Sequence, residues 1–341
     1  MDEPVNLFEQ QAKNRRKSAW LVVGFVLFFA WLGFGGDWIA WRLTLDAPPE
    51  AYHHRLPLLG IFMFVVGFGL VAYIQKTGSS KVLWSTGAVE LTDPKTEDER
   101  QLVNVVEEMA IAAGITRPTI WLIDDADPNA FATGMDSVKS HIAVTTGLIA
   151  TCNRDELQGV IGHEMGHIKN LDVKLMTLVA GLVGAVALMA DGLGRILIHG
   201  GGRRGGGGSR SKNLGPLVAV VLVLWIVSWI LAPIITRMMA VAISRKREYL
   251  ADAMSAQFTR NPMALASALE KIEHAGAPTK AIKGGVAHLC IADPLGRKMS
   301  AREGRVADLF ATHPPMGRRV ARLRAMGYQE MKAAGNFQPA Q

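Results

Sequence analysis

Two long apolar runs near the start of the chain restrict its fold more than any other feature. Residues 19–36 (AWLVVGFVLFFAWLGFGG) and 56–74 (LPLLGIFMFVVGFGLVAYI) contain no charged side chain. A helix needs about 20 such residues to cross the hydrocarbon core of a bilayer. The two runs therefore predict transmembrane helices, and they help to explain why 49% of the 341 residues are hydrophobic.

Charges beside the two runs predict their orientation. The basic segment KNRRK (13–17) precedes the first run, as it would in a signal peptide. The run is longer than a signal core and no clear small-residue cleavage site follows, so we interpret it as an uncleaved anchor. Because Lys76 and Lys81 follow the second run, the positive-inside rule places both flanks in the cytoplasm.

The segment LQGVIGHEMGHIKNLDVKLM (157–176) contains the pattern HExxH. Residues i and i+4 share one face of a helix, so His163 and His167 can bind one metal ion, with Glu164 beside them. A catalytic zinc ion takes three protein ligands and a water, and a neighbouring carboxylate can accept the proton of that water. The pattern predicts a zinc hydrolase with Glu164 as the base, and the alternative is two histidines without a metal.

A third ligand is expected elsewhere, and the segment REYLAD (247–252) contains two candidates. Glu248 and Asp252 are four residues apart and share one helical face. One carboxylate could bind the metal while the other accepts the second ring N–H of a ligating histidine. The alternative is an ordinary solvent-exposed helix face beside Arg245, Lys246 and Arg247, and spacing alone leaves both open.

The polar parts of the chain predict an α+β domain. Apolar periodicity and caps predict five helices, at residues 96–113, from about 153–155 to 169, 244–259, 262–276 and 314–327. Runs of β-favouring residues between turn signals predict three strands, at residues 118–124, 129–135 and 141–149.

A second pair of apolar regions interrupts this domain. Residues 175–189 and 214–235 are apolar, and a low-complexity linker, HGGGRRGGGGSRSKN (199–213), separates them. If both regions cross the membrane, the basic linker lies outside, against the positive-inside tendency. The pair is therefore either a true transmembrane hairpin or a pair lying partly in the membrane interface, and both arrangements return the chain to the same side.

The cysteine positions argue against disulfides and cysteine zinc sites, and the distribution of charge argues against nucleic-acid binding. Cys152 and Cys290 are the two cysteines, and neither lies in a CxxC spacing, so no disulfide framework or cysteine zinc site is indicated. The net charge of +7 comes from Lys and Arg beside the apolar runs. Contact with anionic lipid explains those cations, so we expect the lipid bilayer as a partner and no nucleic acid.

Four segments in this order resemble the HtpX-like membrane metalloproteases of peptidase family M48: DPNAFATG (127–134), GVIGHEMGHIKNLD (159–172), SRKREYLADAMSA (244–256) and ATHPP (311–315). The resemblance runs from about residue 15 to about residue 326. It implies a mainly helical α+β zincin domain of the gluzincin type, with an HExxH helix and a small edge-strand sheet. It also implies one Zn²⁺ per chain, with Glu248 as the third ligand and Asp252 as an outer, proton-handling carboxylate.

The same resemblance implies a substrate class and a location. The protein would be an endopeptidase of the bacterial cytoplasmic membrane that cleaves misfolded or damaged membrane proteins, with its catalytic domain facing the cytoplasm. An extended substrate would add to the edge strand in NAFATG, with Asn129 and Ala132 as contacts. His313 would stabilise the oxyanion or begin the last helix. The sequence indicates no oligomeric state.

The predicted organisation divides the protease domain with membrane sequence. We expect a cytoplasmic segment, two transmembrane helices, the first part of the protease domain, an apolar hairpin, the second part and a tail, at residues 1–18, 19–75, 76–174, 175–236, 237–327 and 328–341. Two rival functions remain: a non-catalytic membrane chaperone or scaffold, and an HExxH hydrolase of another reaction class, such as a deformylase in which Cys152 completes the metal site.

Overall fold

The computed structural model describes residues 7–45, 56–199, 223, 225–228, 245–275, 280–282, 286–292 and 314–333. Most of the predicted linker (199–213), most of the apolar region 214–235, His313 and the end of the tail lie outside the described residues. The chain divides into two compact units. The first contains Met1–Arg16, Thr77–Ala180 and Met238–Gln341, and the second contains Lys17–Lys76 and Gly181–Arg237.

Two long helices, at the positions of the predicted transmembrane runs, form most of the described part of the second unit. Helices α1 (Leu7–Thr44) and α2 (Leu58–Ser85) extend beyond those runs. Within the described part of the chain, they are the two helices long and apolar enough to cross a membrane. The N–H of Gly60 donates to Asp37 Oδ2 at 2.6 Å. The Asp37 side chain on α1 thus accepts a hydrogen bond from a backbone N–H in the first turn of α2, which has no acceptor within its own helix.

The first unit contains a small sheet with helices packed against it. Its strands are β1 (Val89–Glu90), β2 (Thr119–Ile123), β3 (Ala130–Gly134) and β4 (Ser140–Thr145). The strand order is β1-β2-β4-β3, with β2 parallel to β4, and with β3 antiparallel to β4 and β1 antiparallel to β2. Strand β3 therefore lies at one edge, as predicted for NAFATG.

The third predicted strand, at residues 141–149, extends further than the strand in the structure. Strand β4 stops at Thr145, and the short helix α4 (Thr146–Thr151) follows. The Thr145 hydroxyl accepts a hydrogen bond from the Leu148 N–H at 3.2 Å. This side chain caps the helix, and an N-cap of this kind favours helix over continued strand. The two-residue strand β1 was not predicted.

The five helices predicted for the α+β domain are confirmed to within a few residues, except that the last is longer. They are α3 (Glu97–Ala113), α5 (Arg154–Lys169), α7 (Arg245–Thr259), α8 (Pro262–His274) and α9 (Met316–Ala333). Helix α6 (Asp172–His199) contains the apolar region predicted at residues 175–189 and extends beyond it at both ends. Capping boxes begin α3 at Thr96 and α5 at Asn153. Gly114, with φ of 65°, ends α3 in the left-handed conformation that glycine favours. Helix α6 continues past residue 189, where the predicted apolar region ends, and through the charged residues Asp191 and Arg195.

Glycines on α5 allow α7 and α8 to pack very close to it. A Cβ on Gly159 would lie 2.9 Å from the Leu265 Cα, and one on Gly166 would lie 3.2 Å from the Ala251 Cα. Both distances are shorter than ordinary van der Waals contact, so larger side chains would push the helices apart. The backbone of α7, which carries Glu248 and Asp252, is therefore held directly against the HExxH helix.

Candidate metal centre

Three side chains from α5 and α7 converge on one point. His163 Nε2 and His167 Nε2 are 3.2 Å apart, and Glu248 reaches them with Oε2 and Oε1 at 3.6 and 3.4 Å, respectively. The three residues are between 0 and 3% exposed. Among the described residues, they form the one group of at least three His, Cys, Asp or Glu side chains whose ligand atoms lie close enough for a common metal ion.

The spacing of these atoms fits a tetrahedral zinc ion. Ligand atoms about 2.0–2.2 Å from such an ion lie about 3.3–3.6 Å from one another. The two Nε2 atoms are slightly closer than that, at 3.2 Å, and Glu248 faces them with one oxygen each, at 3.4 Å from His167 and 3.6 Å from His163. Two imidazoles and one carboxylate are also a donor set of catalytic zinc sites, which keep a fourth position for water.

The other ring nitrogen of each histidine faces a carboxylate. His163 Nδ1 lies 2.9 Å from Asp252 Oδ1, and His167 Nδ1 lies 3.2 Å from Asp172 Oδ2. Acceptors at the Nδ1 atoms fix the tautomer that leaves each Nε2 lone pair available to a metal. Asp252 thus lies against the ring of His163, the contact that the sequence allowed for one of the two carboxylates.

Asp172 was not predicted, and it reaches His167 through a tight turn. Helix α5 ends at Lys169 and α6 begins at Asp172, with Leu171 between them at φ of 58°. A left-handed conformation is costly for a leucine, so the surrounding structure must hold it. The turn places Asp172 against the histidine five residues earlier, where the helical spacing of the motif gives no signal.

Arg319 is the second residue that sequence reasoning missed. It is 0% exposed, and its Nε and Nη2 donate to Asp252 Oδ2 and Oδ1 at 2.9 and 2.7 Å. Its Nη1 lies 3.4 Å from Glu248 Oε2 and donates to the Ile291 carbonyl at 3.1 Å. Burial raises the pKa of Asp252, but Arg319 and His163 outweigh that effect and leave it below its ordinary value.

The sequence contained a signal for Arg319, because this residue interrupts the apolar stripe of Met316, Val320 and Leu323 on α9.

Arg319→Met is expected to lower the free energy of unfolding by about 3–5 kcal/mol, the usual cost of leaving a buried charge without its partner. The carboxylates of Asp252 and Glu248 would remain buried without the guanidinium. Thermal unfolding of the full chain in detergent, followed by circular dichroism, measures the change. Arg318→Met is the matched control, since the preceding residue on α9 is exposed. Equal unfolding temperatures for the two variants would contradict the assigned role.

Glu164 is buried beside the three ligand atoms and is 1% exposed. Burial raises its pKa to about 7 and Glu248 adds to the rise, while His167 and the Ala132 backbone N–H act in the opposite direction. Neither carboxylate oxygen accepts a hydrogen bond of good geometry within the described residues. A buried carboxylate in this condition is suited to a ligand or water that supplies the missing donor.

The edge strand β3 directs alternate main-chain groups away from the sheet. The Asn129 carbonyl accepts from the Thr145 N–H at 3.0 Å, so residues 129, 131 and 133 pair with β4, and residues 130, 132 and 134 face outward. The Ala130 carbonyl accepts from the Ile291 N–H at 2.9 Å, and the Gly134 N–H donates to the Thr177 hydroxyl at 3.3 Å. Ala132, between these two contacts, presents its main chain on the side of Glu164.

The side chain of Asn129 bonds within the protein. It is 0% exposed, and its Nδ2 donates to the Ala292 carbonyl at 3.1 Å. Close to Ala292, Cys290 forms a β-bridge with Phe131. Asn129 therefore helps to hold residues 290–292 against the start of strand β3, at Ala130 and Phe131.

Cys152 does not belong to the metal cluster, and His313 lies outside the described residues. Burial raises the pKa of the Cys152 thiol to about 12. A thiol must lose its proton to bind a metal, so this environment disfavours Cys152 as a ligand.

Comparison with protein-family models matches residues 96–327 to the description "Peptidase family M48". Two relatives named "Protease HtpX homolog" come from Thermoanaerobacter pseudethanolicus, with 39% identity, and Caldanaerobacter subterraneus subsp. tengcongensis, with 40% identity. Each alignment covers 94% of this chain and 98% of the relative. A relative of the same name from Streptococcus gordonii is 35% identical over 94% of this chain and 100% of its own.

Proposed function

Since the chain belongs to peptidase family M48, we propose that it is a zinc-dependent endopeptidase that cleaves misfolded or damaged membrane proteins. Its family and its relatives make it a membrane metalloprotease acting on protein substrates beside a lipid bilayer. The identity of the metal, the roles of the residues and the kind of substrate are the proposed parts. The observation that carries them is the buried cluster of His163, His167 and Glu248, in which the two Nε2 atoms lie 3.2 Å apart and Glu248 Oε2 and Oε1 lie 3.6 and 3.4 Å from them.

The proposed roles follow from the atoms that face the centre of this cluster. His163 and His167 would hold Zn²⁺ through Nε2, and Glu248 would hold it through its carboxylate. When bound, zinc supplies a Lewis acid that polarises the scissile carbonyl and makes a water molecule acidic enough to attack. Glu164 would accept the proton of the attacking water and pass it to the leaving amine. Asp252 and Arg319 would keep the His163 ring in its orientation.

The proposed substrate is an extended chain that pairs with β3. An added strand forms main-chain hydrogen bonds with an exposed edge, and Ala132 is the outward-facing residue nearest Glu164 on that edge. Asn129 would support this site by holding residues 290–292 beside it. His313 stays our candidate for stabilising the oxyanion. A folded protein would not offer a free strand, so unfolded or damaged proteins are the preferred class.

The proposed location is a bacterial inner membrane, with the catalytic domain on the cytoplasmic side. The support is the cluster of Lys and Arg at residues 13–17, together with Lys76 and Lys81 after the second span. No observation favours either rival function. Glu164 retains the position of a catalytic base, which a chaperone would not require, and Cys152 is not part of the metal cluster.

Metal removal tests this proposal directly. We expect the full chain in detergent to cleave reduced, carboxymethylated ribonuclease, and to leave native ribonuclease intact because native ribonuclease offers no free strand. Treatment with 1,10-phenanthroline should abolish cleavage, and a stoichiometric amount of Zn²⁺ should restore it. Gel electrophoresis and mass spectrometry of the fragments measure both effects. Cleavage that survives chelation, or equal cleavage of both ribonuclease forms, would contradict the proposal.

A further inference from the structure

One side chain in the basic segment at residues 13–17 is buried. Asn14 is 1% exposed, whereas Lys13, Arg15 and Arg16 are exposed. Burial of a primary amide is unfavourable unless hydrogen bonds replace those it made to water. The segment that sets the membrane orientation therefore also makes a specific polar contact inside the protein.

Both N–H groups of the Asn14 amide are used. Nδ2 donates to the Asn170 carbonyl at 2.9 Å and to Asp172 Oδ1 at 2.8 Å. Asn170 caps the end of the HExxH helix α5, and Asp172 begins α6. A primary amide has two N–H donors, so this one side chain can hold both sides of the turn after the HExxH motif.

Asp172 connects this contact to the metal centre. Its Oδ2 lies 3.2 Å from His167 Nδ1, and its Oδ1 also lies 3.4 Å from Arg247 Nη1. A neutral imidazole carries one N–H, so a proton held at Nδ1 by Asp172 leaves Nε2 of His167 free to bind a metal. The position of Asp172 thus governs both the tautomer and the ring orientation of His167.

We propose that Asn14 is a positioning residue of the metal centre: it holds Asp172, which orients His167. The chain ahead of the first membrane span would then be part of the metal site. This inference rests on the proposed function because it takes His167 as a ligand. The role requires an amide, since an aspartate of the same shape would place an acceptor against the two acceptors, the Asn170 carbonyl and Asp172 Oδ1.

Zinc affinity of the full-length protein in detergent tests the role, with a chromophoric chelator as competitor. Outer-shell substitutions at metal sites cost about 10–100-fold in affinity, so we expect Asp172→Ala to fall in that range. Asn14→Ala acts one step farther out and should cost about 3–10-fold, and Asn14→Asp should cost more. Gln11→Ala is the matched control, because Gln11 donates to the Lys169 carbonyl at the same helix end without bonding to Asp172. We expect Gln11→Ala to change affinity less than about twofold, since its hydrogen bond leaves Asp172 in place.

A double-mutant cycle separates positioning from a general effect on folding. If Asn14 acts through Asp172, Asn14→Ala should have almost no further effect in the Asp172→Ala background. Unchanged affinity in Asn14→Ala, or an equal loss in both backgrounds, would overturn the proposal. Because the measurement is metal affinity, it does not depend on proteolysis. Unchanged zinc affinity in His167→Ala would instead show that the proposed metal site itself is wrong.

Discussion

Glu164→Gln is expected to lower kcat by about 10²–10⁴-fold, the usual contribution of a positioned general base. Glutamine has nearly the same shape, but its amide cannot accept the proton of the attacking water. Zinc content should stay at one ion per chain, because the proposed ligands are His163, His167 and Glu248. Metal analysis and cleavage of an unfolded protein, measured on the same preparation, test both parts. Retained cleavage would contradict the role of base, and lost zinc would assign Glu164 to metal binding instead.

The same variant gives an independent check in metal-free protein. Burial raises the pKa of Glu164 from 4.5 to about 7. Between these values the folded state holds a proton that the unfolded state has released, so the stability contributed by the protonated carboxyl is complete below about pH 4.5 and is lost as pH rises towards 7. Glutamine has no such dependence. Glu164→Gln should therefore raise the unfolding temperature at pH 8 and leave it unchanged at pH 4.

The local part of the site could be predicted because its geometry is set within one helix. His163, Glu164 and His167 lie on α5, and the 3.6-residue repeat fixes their relative positions wherever the helix packs. Asn153 and Glu156 mark the start of that helix in the sequence, and the capping box is present in the structure. The transmembrane runs were predictable for a similar reason, since length and absence of charge are local properties.

Contacts distant in sequence could not be predicted from spacing. The face of α7 that carries Glu248 and Asp252 is equally typical of a solvent-exposed surface, until close packing against the glycines of α5 buries it. Arg319 lies 67 residues after Asp252, and its pairing depends on how α9 packs. Sequence spacing determines which residues share a helix face, whereas the tertiary fold determines what that face packs against.

The edge strand β3 also combines a local feature that the sequence predicted with a distant contact that it did not. A run of β-favouring residues between turn residues predicted a strand at NAFATG, and β3 lies at the sheet edge. Its outer side begins against Cys290 and Ile291, far away in the chain, and Asn129 bonds to Ala292. The sequence predicted this strand, but no pattern in it indicated that residues 290–291 pair with the beginning of its outer edge.

Glu248→Ala is expected to weaken zinc binding by more than about 100-fold, because changes that only touch an outer residue already cost about 10–100-fold. The variant removes one member of the cluster and leaves the two histidines, 3.2 Å apart, as the remaining ligands. Proteolysis should fall in parallel. The fold should survive, since Asp252 still pairs with Arg319 Nε and Nη2 at 2.9 and 2.7 Å. Competition with a chromophoric chelator measures the affinity, and circular dichroism of the metal-free protein checks the fold.

Two control variants make the outcome of Glu248→Ala specific. Gln257→Ala changes an exposed residue on the same helix, α7, and should leave zinc affinity unchanged. Cys152→Ser tests the rival in which a cysteine completes the metal site. Because burial keeps that thiol protonated near neutral pH and Cys152 is not in the cluster, we expect no loss of zinc. Zinc lost in Cys152→Ser but kept in Glu248→Ala would replace the proposed ligand set and, with it, the reaction class.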